Sequence, residues 1–458
     1  MQQSGHHLHH FSSSIIMKDK KIISANHVHF FKYIFISIYL ISLFLFTNWF
    51  DLPKYTPIDL DELAWVNDAQ VFDWRKNGNW ENFIWSNNNV GSWTSHDFRL
   101  FDQPHLVKYI FGGTFSQKKT EPWTNEYYHQ KNYLQFVKQS MTEDKYLYES
   151  ESRELFGEKT IQAISLARNI SSFFGILSVI LISFFLAKEF SVFQSIIVIF
   201  LILTNSVFRY NLNLATADSI SLFFILISII CFYYIYRNKK NRRFLFVISF
   251  ITTAFAASSK VNGWILPVLF FLVSLAEEKR NYKQVIKWSI VWLCLYLGTY
   301  IYLQPELWLK PIAGLSKFFL QRISQQSRFE INGLDLNFFE YHFWLFQLFI
   351  RSYKPIFYLL KVVVFYFVFS TVLLSTIIKY IRCKTQITQE LLVKNVKSIL
   401  QKKSCQYSFI ICVVWLSVFS YARIGFERYA MLPLLIIFIG FANVLEKNVF
   451  IYSCDEKV

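Results

Sequence analysis

Apolar runs too long for the helices of a water-soluble core recur through this chain of 458 residues. The first, 31–50, holds a single charge, Lys32. About 20 apolar residues are enough to cross the hydrocarbon layer as a helix. Similar runs lie at 164–187, 192–208, 218–236, 244–259, 261–276, 286–303, 355–381, 406–422 and 429–446. A backbone in lipid must satisfy its own hydrogen bonds, so open runs of this kind become helices. The expected fold is an all-α polytopic membrane protein of about ten transmembrane helices. Two large exoplasmic loops, 51–163 and 304–354, are expected to carry interfacial helices. Segment 336–350 is one of these: it is apolar and aromatic, but short and interrupted by Glu340 and His342.

Charge sets the orientation. The formal net charge of +16 would suit a nucleic-acid binder, but its distribution argues otherwise. Basic residues crowd the short segments 237–243, 279–287 and 379–403, while loop 51–163 carries more acids than bases. Such a bias retains the basic segments in the cytosol. The N-terminus then starts inside and no polyanion partner is implied. Residues 1–30 and 451–458 read as cytosolic tails flanking one membrane domain, 31–450, with an amphipathic cytosolic segment at 382–405. The first run starts too late and runs too long for a cleaved signal peptide, so it reads as a retained helix. Six cysteines, at 231, 294, 383, 405, 412 and 454, all fall outside the exoplasmic loops, and none has zinc-site spacing. The histidines at 6, 7, 9 and 10 read as part of a disordered tail.

This topology gathers ionisable residues on the exoplasmic side. Asp61 and Glu62 follow the first run by about ten residues, and Asp102 lies in the same loop. Asp218 opens the fourth run, where an acid offsets the helix dipole, and capping is its expected role. Lys260 lies between the fifth and sixth runs; Arg423, Glu427 and Arg428 lie between the last two. Charges at a membrane are costly and mark functional positions by default. For Lys260 and Arg428, reaching up into the headgroups is an equally good account.

The order of these motifs resembles the GT-C superfamily of membrane glycosyltransferases, in the branch of the protein O-mannosyltransferases and the lipid A aminoarabinose transferase. The matching features are Asp61-Glu62, the stretch Phe101-Asp102-Gln103-Pro104-His105-Leu106-Val107-Lys108-Tyr109, Ala167-Arg168, Ala217-Asp218, Ser259-Lys260, and Arg428-Tyr429 leading to Pro433. His105 departs from the pattern, standing where a second proline is usual. The resemblance implies an inverting hexosyl- or pentosyltransferase that takes a sugar from a polyprenyl-phosphate donor in the outer leaflet. It implies a protein, lipid or glycan hydroxyl as acceptor. Asp61 would be the general base, with Glu62 orienting it or pairing with a base. Asp102, Gln103, Lys260 and Arg428 would meet the donor, and Asp102 would hold a divalent cation, Mg or Mn, if one is used. The expected location is a bacterial plasma membrane, or the endoplasmic reticulum in a eukaryote, among membrane lipids.

The rival is a flippase or transporter of the same lipid-linked sugar. Transporters place ionisable residues near the bilayer midplane, often in repeated halves. Here the runs are nearly free of mid-helix charge, Lys361 being the main exception, and no repeat is visible. An acyl- or phosphotransferase would need a nucleophile with a His base or a Gly-rich phosphate loop, and neither is present.

Overall fold

A computed structural model describes residues 32–45, 49, 58, 60–85, 104–121, 156–237, 240–277, 282–320 and 435. Every regular element among them is helical. In chain order they are α1 (Lys32–Leu45), α2 (Leu60–Asp68), α3 (Val71–Lys76), α4 (His105–Lys118), α5 (Glu158–Glu189), α6 (Val192–Thr204), α7 (Ser206–Asn211), α8 (Asp218–Ile235), α9 (Arg242–Ser259), α10 (Leu266–Glu277), α11 (Tyr282–Leu303) and α12 (Pro311–Leu320). Short 3-10 turns occupy Trp80–Phe83, Val261–Ile265 and Pro305–Leu307.

Three helices, α5, α8 and α11, are long and apolar enough to cross a membrane. Helices α1, α6 and α12 and the stretch Val261–Leu275 are shorter but apolar. The last three expected spans, segment 336–350 and the cytosolic segment 382–405 lie outside the described residues, apart from Leu435. Where both can be compared, the apolar runs and the helices coincide to within a few residues. Two differences have local causes. Helix α5 begins at Glu158, six residues before the apolar run, because Thr160, Ile161 and Ala163 continue its buried face. Helix α6 stops at Thr204 because Asn205 leaves the helical region and caps α7, accepting from the Val207 and Phe208 amides at 3.0 and 3.3 Å.

The long helices present two kinds of face. Buried positions of α11, Val285, Trp292, Tyr296 and Tyr300, recur at helical spacing on one side. Trp292 stacks on Phe270 of α10 at 4.5 Å and on Tyr296 at 5.7 Å. Its indole N–H donates to Ser249 of α9 at 2.9 Å. The opposite side exposes Ile286, Ile290, Val291, Leu293 and Leu295. Outward apolar side chains over a bonded interior are what lipid requires of a helix. Helices α8 and α9 pack side by side, with the Ser228 and Thr252 hydroxyls 2.9 Å apart, and the small residues Ser249, Ala256 and Ala257 of α9 are also buried. Small side chains let helices approach closely where water provides no driving force.

Hairpins tie these helices end to end. Ser191 and Gln194 form a reciprocal capping box at the α5–α6 turn. The α9–α10 turn needs Gly263, where a Cβ would fall 2.3 Å from the Ala257 nitrogen. Polar groups consequently separate to the two ends of the bundle. At the end carrying Arg237, Arg242 and Arg243, the Glu189 carboxylate accepts from the Tyr233 and Tyr234 hydroxyls and from Arg237. The Lys32 ammonium bonds the Phe190 carbonyl there, closing α1 onto α5. The other end bears α2, α4 and the starts of α5 and α8.

Candidate functional site

Helix α2 opens on the acidic pair. Its Leu63 and Val66 are fully buried against Val107, Phe111 and Phe115 of α4 and Ala163, Ile164 and Ala167 of α5. That apolar contact carries Glu62 into the interior while Asp61, one residue back, is only half-buried. Helix α4 seats on the α2–α3 corner through Gly112, where a Cβ would stand 2.3 Å from the Ala69 carbonyl.

Glu62 is fully buried and doubly held by Arg168, one turn below Ile164 on α5. Arg168 Nε donates to one oxygen at 2.7 Å and its terminal NH2 to the other at 2.6 Å. The Ala215 amide donates to the first oxygen at 2.7 Å. A two-pronged Arg–carboxylate contact adds directional specificity to charge attraction. Three regions thus converge on one carboxylate: the first turn of α2, the interior of α5 and the segment between α7 and α8.

That segment carries a second pair. The Thr216 hydroxyl donates to Asp218 Oδ2 at 2.9 Å, and Lys260 Nζ donates to Asp218 Oδ1 at 2.5 Å. Both charged residues are buried. The Ser172 hydroxyl donates to the Asn213 side chain, and Ser171 to the Thr216 carbonyl at 3.4 Å, pinning the segment to α5. Asp218 therefore does more than open its helix. It is the counter-ion of Lys260, and no side-chain cap forms at the helix start.

A third cluster joins α4 to the far end of α11. His105 is the first residue of α4, after Pro104 in an extended cap conformation, and it is fully buried. Its Nδ1 lies 3.2 Å from Glu306 Oε2 in the turn after α11. Its amide donates to the Gln304 side chain at 3.3 Å, and the Tyr109 hydroxyl donates to the Leu303 carbonyl, also at 3.3 Å. Trp85 donates its indole N–H to the Glu306 carbonyl at 2.9 Å. Lys108 faces Asp68 of α2 at 3.7 Å. Burial pushes the Glu306 carboxyl up to about 8, only partly opposed by its own backbone amide and by Lys108. Burial, with the Glu306 charge, raises Tyr109 too, while Arg75 over its ring pulls the other way.

Of the expected site residues, the structure brings Glu62, Asp218 and Lys260 around segment 215–218, and Asp61 precedes Glu62 in α2. Asp102, Gln103 and Arg428 lie outside the described residues. Among the described residues no group of three His, Cys, Asp or Glu side chains could hold a metal ion. Sequence reasoning assigned no role to Arg168 or to the His105–Glu306 pair. The signal for Arg168 was present: a guanidinium inside an apolar helix needs a partner. Glu306 gave a weaker one, a lone acid directly after a span.

The fold and this polar end define a helical membrane protein with a charged, internally paired site at one end of its bundle. Residues 140–309 match the family model of dolichyl-phosphate-mannose-protein mannosyltransferase, within the GT-C superfamily that the motif order resembles. That family is membrane-integral and performs glycosyl transfer from polyprenyl-phosphate-mannose. The matched stretch contains Arg168, Asp218, Lys260 and Glu306, and ends before neither side of the Asp218–Lys260 pair; Asp61, Glu62 and Asp102 precede it. No curated protein and no solved structure matches the chain.

Proposed function

We propose that this protein transfers a sugar, mannose by its family match, from a polyprenyl-phosphate donor to an acceptor hydroxyl on the exoplasmic face of the membrane. One observation carries the reading: Arg168, inside the matched stretch, clamps Glu62 and so fastens the Asp61-bearing helix onto that stretch.

In the proposed reaction the acceptor oxygen attacks the anomeric carbon from the face opposite the phosphate. The new carbon–oxygen bond forms as the bond to the phosphate oxygen breaks, with inversion. Asp61 takes the acceptor proton, a contribution of about 10²–10⁴-fold for a positioned base. Glu62, engaged by Arg168 and the Ala215 amide, holds the start of α2 and thereby Asp61. The lipid phosphate departs with the bonding pair and needs neighbouring positive charge, not a proton. Lys260 and Arg428 are the proposed sources of that charge. Asp102 and Gln103 are assigned to the donor sugar.

The test supplies purified protein with polyprenyl-phosphate-mannose and a panel of peptide, lipid and glycan hydroxyls. Transfer by the wild type, lost in Asp61→Asn, supports the proposal. Movement of the lipid-linked sugar across liposomes without any transfer would replace it with the flippase reading.

A further inference from the structure

Resting on the transferase reading, we propose that His105 and Glu306 form a proton-sharing positioning pair that holds α4, and through α4 the Asp61-bearing α2, on the end of α11. The pair is closed while it retains one proton between its two side chains.

The geometry supplies each part. His105 Nδ1 and Glu306 Oε2 approach to 3.2 Å with both side chains buried. The Oε2 atom accepts no hydrogen bond among the described residues, which makes the 3.2 Å approach of His105 Nδ1 its route to a shared proton. Either location of the proton, on the carboxyl or on the imidazole, keeps the pair neutral overall. Losing it leaves a net negative charge on two buried side chains, which is costly. The surroundings compensate poorly. Lys108, on the same helix as His105, is shared with Asp68 of α2. Arg75 of α3 lies over the Tyr109 and Tyr302 rings at 4.8 and 5.5 Å. Lys310 and Lys317 lie over the Trp85 ring at 6.0 and 4.7 Å. The Tyr109 hydroxyl, 3.4 Å from His105 Nδ1, is itself hard to ionise. The raised Glu306 carboxyl places the proton loss near neutral to mildly alkaline pH.

The consequence passes to the site through two contacts. Gly112 packs α4 on the Ala69 carbonyl, and Lys108 meets Asp68 at the end of α2. Weakening the α4–α11 junction loosens the platform under Asp61. Neither His105 nor Glu306 needs to touch substrate.

Hydrogen exchange of 105–118 in the full-length protein, corrected for the intrinsic rate at each pH, tests the junction without reference to activity. Wild-type protection is expected to fall about tenfold between about pH 7 and about pH 9, while Glu306→Gln stays protected throughout. In transfer assays the wild type is expected to lose turnover over the same range, and Glu306→Gln to lose that alkaline limb. Wild-type exchange that is flat over this range overturns the pair, and does so even if Glu306→Gln does not fold. A Glu306→Gln variant that keeps the wild-type pH response overturns it too. Absence of transfer at every pH, with the exchange response intact, would count against the transferase reading and leave the pair standing.

Discussion

The Glu62 carboxylate is gripped at both oxygens by the Arg168 guanidinium, at 2.7 and 2.6 Å, from a position 106 residues further along the chain. The contact converts an acidic loop motif into part of the helical bundle. It also separates two neighbours by burial: Glu62 is fully buried against Arg168, while Asp61 is half-buried.

Breaking this grip from one side should be expensive. Removing one partner of a buried pair strands the other charge, at a cost of about 3–5 kcal/mol. Arg168→Met and Glu62→Gln are each expected to lower the thermal midpoint of the purified protein. The double variant is expected to recover part of the loss, as seen by scanning calorimetry in detergent. Additive losses would mean that the two residues act separately.

Catalysis should depend on Asp61 without dependence of the fold. Asp61→Asn retains size and polarity but cannot accept the proton. Transfer is expected to drop by about 10²–10⁴-fold with expression and membrane insertion unchanged. Wild-type turnover in the variant would remove Asp61 as the base.

Lys260 is held by Asp218, so its two roles can be separated. Lys260→Gln should raise the donor KM by about tenfold or more, the scale of a hydrogen bond to a charged group. Arg428→Gln should act alike. A loss of stability in Lys260→Gln with wild-type donor KM would confine Lys260 to its pairing with Asp218.

Stability should fall with alkali through Glu306. Its carboxyl lies near the ordinary 4.5 when unfolded and is raised to about 8 in the folded chain. The folded state therefore binds the extra proton between those values. The contribution is fully present below about 4.5 and is lost progressively as pH rises through about 8. Unfolding midpoints of wild type and Glu306→Gln should diverge in that window, the wild type declining more. Parallel curves would show that Glu306 is not the titrating group.

Orientation is open to a direct check. Reporter fusions after Arg243 and Lys403 should read cytosolic, and fusions within 51–160 exoplasmic. A cytosolic report from residue 120 would put Asp61 on the wrong side for an outer-leaflet donor.

The helices themselves were legible in the sequence because their cause is local. Each apolar run must bond its own backbone, so the runs beginning at 192 and 218 coincide with the starts of α6 and α8. The separation of Arg237, Arg242 and Arg243 from Asp61 and Glu62 was equally visible, since charge bias is a property of connecting segments. Pairing was not. Glu62 with Arg168, Asp218 with Lys260 and His105 with Glu306 join segments that only helix packing brings together. A buried charge announces that it needs a partner, but not which one. Asp218 read as a helix start because that explanation needs only neighbouring residues; its contact with Lys260 exists because α8 and α9 pack side by side. The chain by itself determined that the apolar runs among the described residues are helical and that Asp61 and Glu62 lie away from the Arg237–Arg243 end. The tertiary structure decided which basic residue meets each buried acid and how deeply each acid is buried, because that depends on distances between helices, which are not encoded in any single run.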